Sequence, residues 1–118
     1  MARQPPEWTI EFYANIRGES TVAESLNGLA QKDQAKVYNC LRLLGELGTK
    51  VGMPHARPIS GHPPLWELRP GAIRVIYFAH TGRRFIILHA FRKTRRKTPS
   101  RHFTTAERRM AEFLEREK

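Results

Sequence analysis

The chain has 118 residues, 40% of them apolar, with 21 Lys and Arg against 11 Asp and Glu and a net charge of +10. That length supports one domain over residues 1–118 and a core that needs neither disulfides nor a metal. A single cysteine, Cys40, excludes a disulfide scaffold and a zinc finger, and no window approaches the ~18 apolar residues of a membrane span.

The start, Met-Ala-Arg-Gln-Pro-Pro-Glu, has no signal-peptide core, so a cytoplasmic location is expected. Alternation over Trp8–Tyr13 predicts a half-buried strand, which Gly18 closes off. Ser20 is placed to cap a short helix carrying Val22, Leu26 and Leu29 and ending near Lys32. Asp33 is placed to cap a second helix, where Val37, Leu41 and Leu44 form a row widened by Cys40, Leu43 and Leu47 and ended by Gly48. Tyr38 and Cys40 read as packing residues. The glycines and prolines of residues 48–64 predict a loop without regular structure. Three strands follow, Leu65–Arg69, Ala72–His80 and Arg83–Phe91, joined by Pro70-Gly71 and Thr81-Gly82 as an antiparallel meander. The last two are apolar on both faces, which places them centrally, with helices covering one side. A closing helix carries Phe103, Ala106, Met110 and Phe113 on one face. It starts either at Thr98-Pro99 or at a Thr104/Glu107 capping box. The order implies an α+β fold, a mainly antiparallel sheet against two N-terminal helices with a C-terminal helix, and neither a repeat nor a second domain is evident.

Charge is unevenly placed. Between Leu68 and Ala106 there is no acid, while ten bases fall there, from Arg69 to Arg101; the 11 remaining bases balance the 11 acids elsewhere. Such a field suits a polyanion, with nucleic acid preferred to an acidic protein. No P-loop, Gly-x-Ser-x-Gly or His-Glu-x-x-His motif is present. Arg74, in a strand otherwise apolar, must either pair with an acid such as Glu67 or face a groove that takes phosphate, and the groove is the expectation here. His89 is either a proton-exchanging group or a core histidine; His55, His62, His80 and His102 receive no role.

Leu-Trp-Glu-Leu-Arg (65–69), Arg-Val-Ile-Tyr-Phe (74–78), Leu-His-Ala-Phe-Arg-Lys (88–93), Lys-Thr-Pro (97–99) and a closing Ala-Glu-Arg-Arg helix together resemble the phage-derived, HigB-like branch of the RelE/ParE toxin superfamily. The resemblance spans about residues 8–116 in element order. It implies a small RelE-like sandwich and the toxin half of a type II toxin–antitoxin pair, a ribosome-dependent endoribonuclease of messenger RNA with no metal or other cofactor. Such cleavage uses the RNA's own 2′-hydroxyl, so the protein supplies alignment, proton transfer and cations for the phosphorane. By motif position Arg74 is the phosphate clamp, and Arg69 and Lys93 are neighbouring cations; by side-chain chemistry His89, if not a core histidine, or Glu67 as a base is the candidate for proton transfer. Glu67 stands where some relatives carry lysine. Arg92, Arg95, Arg96 and Lys97 are expected to hold RNA backbone. The implied partners are the 70S ribosome with its messenger RNA and an antitoxin from an adjacent gene, of helix-turn-helix type, gripping apolar residues such as Phe103, Met110 or Phe113; no membrane is involved. The competing readings are a ParE-like inhibitor of DNA gyrase and a non-catalytic nucleic-acid-binding module.

Overall fold

The computed structural model describes residues 7–52 and 55–118; residues 1–6, on which the signal-peptide reading rests, and residues 53–54 of the Gly/Pro stretch lie outside the described residues. The first strand, β1 (Thr9–Phe12), leads to α1 (Thr21–Asn27), whose N-cap is Ser20, its side chain accepting from the Ala23 amide. α1 ends at Asn27 rather than near Lys32. The Gln34 side-chain amide donates to the Asn27 and Leu29 carbonyls and so terminates the helix early. α2 (Gln31–Leu47) accordingly starts before Asp33, which sits in its first turn and binds Arg92 instead of capping. Val37, Cys40, Leu41 and Leu44 are buried as expected, but Leu47 is half-exposed.

A 3-10 turn (Gly48–Lys50) follows, and then a strand where only loop was expected, β2 (Ala56–Pro58). Proline is tolerated there because β2 is an edge strand, with no ladder to complete on its outer side. The meander β3 (Trp66–Leu68), β4 (Ile73–His80) and β5 (Arg84–Arg92) is as the sequence predicts, within a residue or two at most ends. The closing helix, α3, spans Ser100–Arg116. Of the two expected starts the earlier is nearer, although neither threonine caps: Thr104 lies inside the helix and donates to the Ser100 carbonyl, and Glu107 binds His62.

Among the described residues these strands form one sheet of order β1-β5-β4-β3-β2, antiparallel except for the parallel β1–β5 pair. Arg57, Glu67, Ile76 and His89 are cross-strand partners in one row and therefore share a face, with Arg74 and Phe91 two residues along. A bulge follows: pairing passes from Ile76–His89 to Tyr77–Ile87, leaving Leu88 as the extra residue, its carbonyl accepting from Arg109. The core between the sheet and α1/α2 contains Val22, Leu26, Val37 and Leu44 against Val75 and Ile87.

Helices cover both faces, not one as expected. α3 lies across the Glu67–His89 face, with Phe113 edge-on to Phe78 and His80 and with His102 stacked on Phe91. Phe103, Met110 and Phe113, the apolar residues expected to contact an antitoxin, are thus partly buried against the core. No helix among the described residues is long and apolar enough to cross a membrane.

Gly48 ends α2 at φ +61, and a Cβ there would lie 2.3 Å from the Trp8 indole Nε1, which is locked by stacking of Trp8 on Phe85. Gly48→Ala is expected to lose about 2–4 kcal/mol in urea denaturation, combining backbone strain with overpacking. Gly61→Ala, at φ +80 in open space, is expected to lose only about 1 kcal/mol. Equal losses would show that the indole contact contributes nothing.

Candidate active site

Glu67 is 2% exposed, the most deeply buried ionisable residue of the sheet. Its Oε1 accepts from Arg57 Nε at 3.0 Å and lies 4.0 Å from both Arg69 Nε and Arg74 Nε. Burial demands partners for a carboxylate, and the strand register supplies them: Arg57 stands directly beside Glu67 on β2, while Arg69 and Arg74 flank the β3–β4 turn. Arg74 is 8% exposed and ties that turn, donating through Nη1 to the Gly71 and Ile73 carbonyls at 2.8 and 2.9 Å. Its pKa is lowered by burial first and by Arg69 next, with Glu67 opposing both. Three guanidinium groups against one carboxylate leave an excess of two positive charges at the sheet edge, a site suited to an incoming anion.

The groove-facing arginine is therefore not Arg74, as expected from the sequence. Arg74 is turned inward to Glu67 and backbone, because an eight-residue central strand leaves its side chain little access to water. Arg57 takes the exposed place: its side chain is 45% exposed, and its Nη groups make no hydrogen bond with other described residues. It lines an open groove of about 340 Å³ together with Pro58, Ser60, Glu67, Lys93, Arg96, Lys97 and Phe103. Lys93 is braced across the groove wall, donating to the Arg96 carbonyl and the Thr98 hydroxyl.

The remaining expected site residues divide. Glu67, Lys93, Arg96 and Lys97 meet in the groove, and Arg69 stands behind it at Glu67. Arg95 lines a smaller hollow on the far side of Lys93. Arg92 belongs to the opposite sheet face, where it donates to Asp33 of α2 at 2.6 Å. Glu67 is buried, and its Oε1 already accepts from Arg57 Nε. His89 lies mostly inside; its Nε2 and the Nδ1 of His102 share one hydrogen across 2.8 Å, and burial, then Arg109 and His102, push it down to about 4. Among the described residues no group of three or more His, Cys, Asp or Glu could hold a metal ion.

Residues 24–111 match the family of phage-derived Gp49-like proteins, about three quarters of the chain. The chain belongs to the Gp49-like family. Solved structures share the fold of this Gp49-like protein. The RelE chain of the archaeal RelE–RelB complex from Pyrococcus horikoshii OT3 is 16% identical, with a TM-score of 0.60 over 75% of this chain and 98% of that one. An arginine-to-alanine double mutant of the E. coli toxin RelE in the free state is 14% identical, with a TM-score of 0.60 over 88% and 98%. The superfamily resemblance and the α+β RelE-like sandwich stand, whereas neither match singles out a HigB branch. No curated protein gives a significant sequence match.

Two residues at this site escaped the sequence reading, Arg57 and His102. Arg57 was hidden by the Pro58 beside it, which argued against a strand. His102 did carry a signal: it lies four residues before Ala106 and seven before Arg109, on the helix face that packs.

Glu67→Ala is expected to cost about 3 kcal/mol in urea denaturation, because it leaves the buried Arg74 without its carboxylate. Arg57→Ala, which removes the exposed partner, is expected to cost less than about 1 kcal/mol. For His89 the folded protein binds a proton less readily than the unfolded chain, between the usual 6.5 and about 4. The stability from its neutral form is complete above 6.5 and is lost as pH falls toward 4. His89→Asn should therefore flatten the acid-side fall of the thermal midpoint, and an unaltered pH profile would contradict the assignment.

Proposed function

We propose that this chain is the toxin of a type II toxin–antitoxin pair, an endoribonuclease of the HigB-like kind that cuts messenger RNA on the 70S ribosome. Cleavage proceeds by 2′-hydroxyl attack on the adjacent phosphorus, without a metal. The observation that carries this reading is the groove floored by buried Glu67 with its excess of arginine charge. An RNA phosphate entering there meets the Arg57 fork and Lys93, which line the same groove, and a phosphorane, with one more negative charge, is held more strongly than the ground state. Arg69 and Arg74 act from behind, fixing Glu67 and adding field. Arg96, Lys97 and Arg95, on the connection between β5 and α3, engage the RNA backbone of message or ribosome.

The RelE fold, one solved example of which is a RelE–RelB complex, supports an antitoxin partner. A net charge of +10 favours an acidic one, drawn in by long-range attraction. Such a pair operates in the cytoplasm, where ribosomes are.

Induced expression is expected to arrest growth and to generate new messenger 5′ ends within translated regions. Arg57→Ala, which keeps the fold, should slow cleavage about a hundredfold, the effect of removing one transition-state cation. Arrest with intact messages and a DNA-damage response would replace this reading by gyrase inhibition. The product of the adjacent gene should co-elute with the protein in size-exclusion chromatography and relieve arrest; failure of both would remove the toxin–antitoxin assignment.

A further inference from the structure

The groove contains groups that hold phosphate but none placed to take a proton from a 2′-hydroxyl. Its arginines and lysines are donors only, and Glu67, 2% exposed, lies beneath them with its Oε1 accepting from Arg57. On the other side of Lys93, which lines both spaces, lies a hollow of about 80 Å³ bordered by Phe91, Arg95, Arg101 and His102. The His102 ring lies flat against Phe91, with centroids 3.8 Å apart and planes 6° from parallel. Its Nδ1 is taken by His89 Nε2, and its Nε2 has no hydrogen-bond partner among the described residues.

The geometry points to His102 as the general base of RNA cleavage, with His89 as the positioning residue that orients it. This rests on the endoribonuclease reading above. When His102 carries its hydrogen on Nδ1, His89 Nε2 accepts it, and His102 Nε2 presents a lone pair to the hollow. The step then balances. Nε2 takes the 2′-hydroxyl proton, the O2′–phosphorus bond forms as the phosphorus–O5′ bond breaks, and O5′ leaves with a proton from water. The imidazolium returns its proton to water, and the products are a 2′,3′-cyclic phosphate and a 5′-hydroxyl end.

The surroundings suit a base at neutral pH. Among the described residues the charged groups nearest the pair are cationic: Lys93 and Arg95 from the connection after β5, Arg101 beside His102 and Arg109 beside His89, while Arg92 is turned to the other sheet face and neutralised by Asp33. Burial, then Arg101, lowers His102, so it is neutral and able to accept. Burial first, then Arg109 and His102, brings His89 down to about 4, so an accepted proton stays on His102 rather than passing inward. Of the other histidines, His62 is engaged with Glu107 on α3 and His80 with Glu117 just past its end, and His55 is exposed on the approach to β2.

The test is single-turnover cleavage of message in programmed ribosomes across about pH 5 to 8. Wild type should rise about tenfold per pH unit at the acid end and level off below pH 6.5. His102→Gln should be slowed by about 10²–10³-fold with a flat profile, as should His102→Asn, which can still bond His89. His89→Asn should slow cleavage less and move the inflexion, and His55→Asn should match wild type. Affinity for a message with 2′-deoxyribose at the cut position should be unchanged in all. Wild-type rate and profile in both His102 variants would overturn the proposal, as would loss of affinity for the deoxy message. If both variants unfold, a wild-type inflexion that differs from the ring titration of His102 by NMR overturns it instead. A wild type that cuts no message removes the endoribonuclease reading together with this one, whereas active His102 variants remove only this one.

Discussion

Burying the Glu67 carboxylate imposes a condition that the surrounding sheet has to meet. A charge held at 2% exposure requires cations within a few ångströms, and it must stand where strands can deliver them. The β2–β3 register brings Arg57 alongside, and the tight β3–β4 turn folds Arg69 and Arg74 back toward the same oxygen. Strand register, turn geometry and local field are thus one constraint. A one-residue slip of β3 would turn Glu67 toward the apolar face shared by Val75 and Ala90 and strand three arginines together.

The opposite end of the same sheet face depends on α3. That helix buries only Ala106 completely, so its seat is made largely of aromatic edges and polar bridges: Phe113 against Phe78, His62 with Glu107, His80 and Arg84 with Glu117, and His89 with His102. Tyr13 adds its hydroxyl to Glu112, and Arg116 donates to the Ala14 carbonyl. The basic connection between β5 and α3 is therefore suspended between two fixed ends. Lys93, Arg96 and Lys97 owe their convergence on the groove to where α3 docks, not to any regular structure of their own.

Much of this was legible in periodicity. The meander, the helical hairpin and the amphipathic closing helix follow from apolar spacing and turn residues, and the acid-free segment from Leu68 to Ala106 contains the Lys93, Arg96 and Lys97 that line the groove. Less legible were features created by tertiary contact. Asp33 looks like a cap because its chemistry fits, but Arg92 fifty-nine residues later claims it. Arg74 looks like a groove residue because a central strand repels charge, but two backbone carbonyls hold its Nη1 inside, with the Glu67 carboxylate 4.0 Å from its Nε. The parallel β1–β5 pairing joins segments more than seventy residues apart, and no local pattern encodes it.

The placement of Arg57 carries one more implication. β2 has three residues, lies at the sheet edge and, among the described residues, pairs with β3 alone. Short edge strands sit at the low end of the local-stability range and open without the core following. Fraying of β2 would carry Arg57 off Glu67 while Val75, Ile76 and Ile87 stay packed, leaving a folded protein with a dismantled groove. The molecule therefore separates persistence from competence: its lifetime is set by the central strands, and the intactness of the Arg57–Glu67 groove by a three-residue edge strand.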